Sequence, residues 1–229
     1  MAGQGIYDVD IVMCIDGTGS MGHIIEEVKN NAMTLHEQFE QAMILAGKEP
    51  SGARVKVIVF GDYKDDPDPM RESEFFTLPD QNDEFRAFVQ GIRANGGGDI
   101  PENAFEAIAT AMKSDWVPAQ SGKKRRQAIV VFSDAPALPL GERAGCPNYP
   151  DDIPHTMADL SAWWHGTTQE FGGNYDKKAG RLIAFVPNDD SWTQLEAWNR
   201  FIPSYTAGMG CSELDMQTVL DTIVGSFDN

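Results

Sequence analysis

The chain reads as one α/β domain spanning residues 1–229. The expected architecture is a doubly wound, Rossmann-like sheet, mostly parallel, with one antiparallel edge strand and helices on both faces. Three observations predict it. Apolar runs alternate with amphipathic runs from end to end, the pattern of successive βαβ units. The apolar runs are nearly continuous, as in strands buried on both faces. The 229 residues are 41% hydrophobic and 23% charged, a composition that suits one large core.

Tyr7 to Ile15 carries Val9, Ile11, Val12, Met13, Cys14 and Ile15 and reads as the first buried strand. Ile25, Val28, Ala32, Leu35, Phe39, Ala42 and Ala46 then recur at steps of three and four, predicting a helix that Gly47 can stop. Val55 to Phe60 is the second strand, and Glu74 to Leu78 the edge strand. Phe85, Phe88, Val89 and Ile92 mark a short helix. The glycine-rich loop from Asn95 to Glu102 opens another, with Phe105, Ile108 and Met112 on one face. Ala128 to Phe132 is the clearest strand. Five prolines between residues 135 and 154 predict a long ordered loop. A Trp-rich helix (Met157 to Trp164), a strand (Leu182 to Val186), a helix with Trp192, Leu195 and Trp198, a short strand (Ser204 to Thr206) and a closing helix (Ser212 to Phe227) complete the chain.

With 35 acidic against 18 basic residues, the net charge is −17. That charge repels nucleic acid and anionic membranes and suits cations or cationic partner surfaces. Lys123 to Arg126 reads as a solvated turn. The chain has no apolar run of about 18 residues and no basic, apolar leader after Met1, so a cytoplasmic location is expected. Cys14, Cys146 and Cys211 show no metal-ligand spacing and read as reduced thiols, Cys14 within the core. Whether Cys146 and Cys211 meet is open.

In a doubly wound sheet, ligands bind beyond the carboxyl ends of the strands, at the switch in strand order. Asp16-Gly-Thr18-Gly-Ser20 follows the first strand, Gly61-Asp62 the second and Ser133-Asp134 the Ala128 strand; the loop with Asp99 and Glu102 starts a helix at the same rim. These groups offer only oxygen, which suits Mg²⁺, Mn²⁺ or Ca²⁺ rather than Zn²⁺. Each also has a purely structural reading: Ser20 as the N-cap of the first helix, Asp99 and Glu102 as a capping box, and Asp134 as a cap. Their convergence favours the cation, because acidic groups crowded in one crevice need neutralising.

Asp16-Gly-Thr18-Gly-Ser20 resembles the D-x-S-x-S motif of von Willebrand factor A domains, which opens their metal-ion-dependent adhesion site. Phe132-Ser-Asp134-Ala is similar to the family's second aspartate segment, and Gly98-Asp99-Ile-Pro-Glu102 to a loop of integrin β-type and many bacterial A domains. The resemblance implies that Thr18 and Ser20 bind the metal through hydroxyls and that Asp16 and Asp134 bind it directly or through water. Asp99 or Glu102 would complete the set, leaving one position for a partner's Asp or Glu. Gly22 and His23 stand where integrin β domains have acids for an adjacent metal, so no such site is expected. Asp62 matches an aspartate of a flanking site, and whether it helps form one here is open. The implied function is a non-catalytic, metal-dependent protein-interaction module, an adaptor for an ATPase or a kinase–phosphatase module.

Two alternatives accompany that reading. Cys14-Ile-Asp16-Gly-Thr18 resembles the D-x-D-G-T motif of haloacid-dehalogenase-type phosphatases, but Cys14 stands in place of the nucleophilic aspartate. The other is a metal-free structural module. The rim is expected to face solvent, so that Asp16→Ala leaves the fold intact. The loop from Ala135 to Pro154 either helps choose the partner, through Leu138, Leu140 and Tyr149, or packs as a lid on the domain's own surface.

Overall fold

The computed structural model describes residues 5–94, 101–168, 174–206, 211 and 214–228. β1 (Ile6–Asp16) lies at the centre of the sheet, parallel to β2 (Glu49–Phe60) on one side and to β5 (Lys123–Phe132) on the other. β6 (Gly180–Pro187) and β7 (Phe201–Thr206) continue the parallel order beyond β5. β3 (Met70–Glu72) and β4 (Phe76–Leu78) both run antiparallel along β2. The order β3-β2-β1-β5-β6-β7 is the expected doubly wound arrangement, and it reverses between β1 and β5. The antiparallel edge is two short strands rather than one. Between them the Ser73 hydroxyl accepts the Val57 amide at 3.0 Å, replacing a carbonyl and interrupting the ladder.

Side chains of β1 alternate between two cores. Val9, Ile11, Met13 and Ile15 pack under α1 (Gly22–Asn31), α2 (Leu35–Leu45), α3 (Asn82–Gln90) and α7 (Met216–Gly225). Val12 and Cys14 pack under α4 (Ala104–Met112), α5 (Met157–His165) and the short α6 (Asp190–Thr193). Burial on both faces is why its stretch from Ile11 to Ile15 is apolar without a break. Each large aliphatic side chain it buries contributes about 1.5–3 kcal/mol. Trp164 and Trp192 lie fully buried within the second core.

The long first helix of the sequence reading is two helices. The break falls at Ala32–Thr34, where polar side chains compete for the backbone. Asn31 donates to Glu27 O at 2.9 Å and accepts from Gln38 at 3.0 Å, and the Thr34 hydroxyl turns to Asn31 O. Gly47 ends α2 at φ +70° as expected. Lys123 to Arg126 is not a solvated turn but the start of β5. Lys123 pairs with Asp8, Arg125 with Asp176, and Arg126 donates to Phe227 O. No helix among the described residues is long and apolar enough to cross a membrane.

Candidate metal centre

The crevice at the switch in strand order is built from the residues just past β1 and β5. Asp16, the last residue of β1, is fully buried. Its Oδ1 accepts the Thr18 amide at 2.9 Å and its Oδ2 accepts the Ser133 hydroxyl at 2.8 Å. The Thr18 and Ser20 hydroxyl oxygens are 3.2 Å apart, and Ser20 donates to Asp134 Oδ1 at 3.0 Å. Asp16, Thr18, Ser20 and Asp134, chosen from sequence, are thus linked by hydrogen bonds across the β1–β5 boundary. Asp99 lies outside the described residues.

The structural readings of these residues fail where they can be checked. Ser20 sits inside a 3₁₀ turn, Gly19–Met21, and α1 begins after Met21 without a side-chain cap. The Ser20 hydroxyl therefore serves Asp134. Glu102 precedes α4, whose flanking residue Asn103 makes no capping bond, so Glu102 is no N3 partner of a capping box. Its backbone is stitched to the loop after β5: Glu102 N donates to Pro136 O at 3.2 Å and Leu138 N to Glu102 O at 2.8 Å. Asn103 N donates to Gly61 O, past β2, at 3.3 Å. These bonds hold the Glu102 segment on the same rim, with the Glu102 side chain buried.

Burial raises the Asp16 carboxyl above its ordinary value; hydrogen bonds from Thr18 and Ser133 oppose this and the Asp134 charge adds to it. The expectation of a solvent-facing Asp16 is overturned. Asp16→Ala would leave the Thr18 amide without its acceptor, at about 1–3 kcal/mol for a buried group, and the Ser133 hydroxyl with only Ala135 O, at 3.3 Å. Among the described residues no three acidic, imidazole or thiol side chains gather closely enough to hold a metal by themselves. Any cation here relies on hydroxyl oxygen as well as carboxylate. Two carboxylates and two hydroxyls, with no nitrogen or sulfur, fit a hard divalent cation.

Ser133 was not among the candidate ligands, yet its hydroxyl orients Asp16 and also accepts the Ala135 amide at 3.1 Å. Its position immediately after a buried strand was the available signal. Asp62 is fully buried, and Arg143 grips both of its oxygens, at 2.8 and 2.7 Å. The guanidinium supplies the positive charge that a flanking cation would bring, so no second metal is assigned to Asp62. His23 is exposed on α1. Cys14 is buried in the second core, its thiol pushed up by burial. Cys146 and Cys211 are both free. Cys211 is buried beneath the rim, 3.6 Å from Phe185 O, with its thiol pushed up to about 12 by burial and then by Asp134 and Asp16.

The loop past Asp134 is packed down, not offered outward. Trp192 donates to Ala135 O at 3.0 Å, and Ala137 N donates to Ser191 Oγ at 2.9 Å. Leu138, Leu140 and Tyr149 are buried, so of the two alternatives the loop takes the lid packed on the domain's own surface. Tyr149 and the Gly141 amide both donate to Glu106 Oε1, at 2.9 and 3.2 Å. Glu106 is the one charged residue of α4, whose other residues except Thr110 are apolar, and that was a legible signal of a buried anchor. Burial raises its carboxyl, opposed by the bonds from Gly141 and Tyr149. The folded state therefore keeps a proton that the unfolded chain releases above about pH 4.5. Glu106 costs stability as pH rises from there through its folded value. Glu106→Gln does not titrate, so its stability relative to wild type should rise with pH in denaturant melts from pH 4 to 7. A pH-independent difference would contradict the assignment.

A sequence model of the von Willebrand factor A domain matches residues 10–139, more than half of the chain. The chain belongs to the von Willebrand factor A domain family. The matched region of this A domain runs from β1 past Asp134 and holds the four linked residues. The A domain is 26% identical over 186 residues to alpha-protein kinase vwkA of Dictyostelium discoideum, covering 77% of this chain but 27% of the kinase. Among solved structures, it is similar to the pilus adhesin SpaC of Lactobacillus rhamnosus GG (TM-score 0.51, 13% identity, 99% of this chain, 31% of the adhesin). A von Willebrand factor type A protein from Catenulispora acidiphila gives a TM-score of 0.49 at 13% identity, over 96% of this chain and 43% of that one. The chain spans less than half the length of each of these proteins.

Proposed function

We propose that this A domain is a non-catalytic, cytoplasmic interaction module that holds one hard divalent cation and uses it to grip an Asp or Glu of a protein partner. Mg²⁺ is the first choice, with Mn²⁺ and Ca²⁺ suited to the same donors. The observation that carries the reading is the chain of hydrogen bonds joining Asp16, Thr18, Ser20 and Asp134 at the switch point. Asp16 and Asp134 supply the charge, Thr18 and Ser20 neutral oxygens, and Asp99 or Glu102 completes the protein's share. Ser133 holds the Asp16 carboxylate in orientation. When bound, the cation supplies an electrophilic position for one further anionic oxygen. The packed loop after Asp134 makes the rim rigid, which lowers the entropy cost of docking.

Family membership supports a role in protein interaction. The Dictyostelium relative is a kinase, and a module of this kind serving beside a kinase–phosphatase pair or an ATPase is the partner class proposed. The phosphatase reading has less support, because Cys14 is buried where that chemistry would need an exposed carboxylate. Isothermal calorimetry with Mg²⁺ and Mn²⁺ tests the proposal. One binding event per chain and a melting temperature raised by metal and lowered again by chelator are expected. No heat and no thermal shift with either ion would refute it.

A further inference from the structure

Beside the candidate metal centre lies a cavity of about 410 Å³, lined in part by Gly17, Gly61, Arg71 and Arg93. Gly17 sits between Asp16 and Thr18, so the cavity adjoins the metal rim at that residue. A volume of this order falls in the range of small-ligand pockets.

Among the described residues, nine of the 18 lysines and arginines hold a carboxylate within 4 Å. Arg71 and Arg93 do not: neither guanidinium has a carboxylate partner among the described residues. Arg71 Nη1 donates to Gly91 O at 3.2 Å, and its guanidinium lies 4.9 Å from the centre of the Phe88 ring. Arg93 Nη1 donates to Gln90 O at 2.9 Å and to Ile92 O at 3.3 Å. These bonds cap the last carbonyls of α3, a structural role that arginines serve well. Each guanidinium carries five N–H donors. Capping takes one nitrogen of each, and the remaining nitrogens of both have no hydrogen-bond acceptor among the described residues. The bonds to the helix end also hold the two forks in place beside the cavity.

We infer that this cavity is an acid-binding subsite. It receives a second carboxylate from an extended acidic segment of the partner, next to the carboxylate gripped at the metal rim. The inference rests on the interaction-module reading above and adds the partner's chemistry: two acids at a fixed spacing rather than one. Arginine suits the task because its planar fork meets a carboxylate through two parallel hydrogen bonds. Asp66 and Asp68 also border the cavity. Asp66 Oδ2 accepts the Asp62 amide at 2.9 Å, which partly offsets its charge. Asp68 is exposed and repels an incoming acid, so Asp68→Asn should strengthen binding of a two-acid segment.

The test uses capped Gly/Ser peptides carrying either one Asp, or that Asp with a Glu placed one to four residues away. Binding is followed by amide chemical shifts of the whole chain in saturating Mg²⁺ and again in chelator. On wild type, one spacing of the two-acid series should bind about tenfold tighter than the one-acid peptide, the scale of a charge-assisted hydrogen-bonded contact. In Arg71→Gln/Arg93→Gln that gain should vanish while one-acid binding is unchanged. If the double variant loses its cooperative melt, Arg93→Gln alone serves, since that residue bonds only to carbonyls of its own turn. Two-acid peptides that bind no tighter than the one-acid peptide, or a gain that survives the Gln variants, would overturn the inference. In both cases chelator-sensitive one-acid binding keeps the metal reading intact. An arginine-dependent gain that persists in chelator would support the subsite and overturn the metal reading. Absence of binding by every peptide would overturn both.

Discussion

Asp134→Ala should lower Mg²⁺ and Mn²⁺ affinity by about 100-fold or more, a loss at or beyond the upper end of what removal of an outer-sphere partner produces. It is a cleaner probe than Asp16→Ala. Asp134 is half-buried and receives the Ser20 hydroxyl, so its removal leaves a group that water can reach. Asp16 is fully buried and satisfies both the Thr18 amide and the Ser133 hydroxyl, so its loss confuses folding with binding. Ser133→Ala separates the roles. It keeps all four donors but frees Asp16 Oδ2, and should weaken metal binding by about 10- to 100-fold. Calorimetry on the three proteins, with circular dichroism melts in chelator as the folding control, gives the order Asp134→Ala, Ser133→Ala, wild type in rising affinity. Equal affinity in Asp134→Ala and wild type would remove the centre from this rim.

Arg143→Met should cost about 3–5 kcal/mol of stability, the penalty for leaving a buried charge without its partner. Asp62 is fully buried, and both of its oxygens are gripped by that guanidinium. Lys64 N, at 2.8 Å from Oδ1, is too little to replace it. Asp62→Asn combined with Arg143→Met should recover most of the loss, because the charge and its partner leave together. Urea denaturation of the two variants decides it: a single variant as stable as wild type would mean that the pair contributes nothing. The pair also ties the loop after β5 to the end of β2. Arg143→Met is therefore expected to loosen the rim, read as faster amide exchange at Gly141 and Tyr149, the residues that Glu106 anchors.

The fold was legible because its signals are local and repeated. Ile11 to Ile15 must be buried on both faces to be so apolar, and Gly47 must end a helix where φ turns positive. The joined α1 and α2 were misread where Asn31 and Thr34 set side-chain bonds against a helical period that was otherwise unbroken. The candidate centre was half legible. Asp16, Thr18 and Ser20 share one short motif, so their proximity follows from chain geometry. Asp134 lies more than a hundred residues away, yet it too was legible because it ends a strand and a parallel sheet aligns its strand ends.

By itself, then, the sequence determined the layered architecture, the rim on which the site sits and the oxygen-only character of its donors. All three follow from residue type and period. Only the tertiary structure decided how each polar group is used. Ser133 orients Asp16, Arg143 rather than a second cation meets Asp62, Leu138, Leu140 and Tyr149 belong to the core, and Arg71 and Arg93 border a cavity without pairing with a carboxylate among the described residues. The physical reason is that hydrogen bonds and ion pairs act over a few ångströms between residues far apart in the chain. Their partners are set by how the loops close over the sheet, and no periodicity records that.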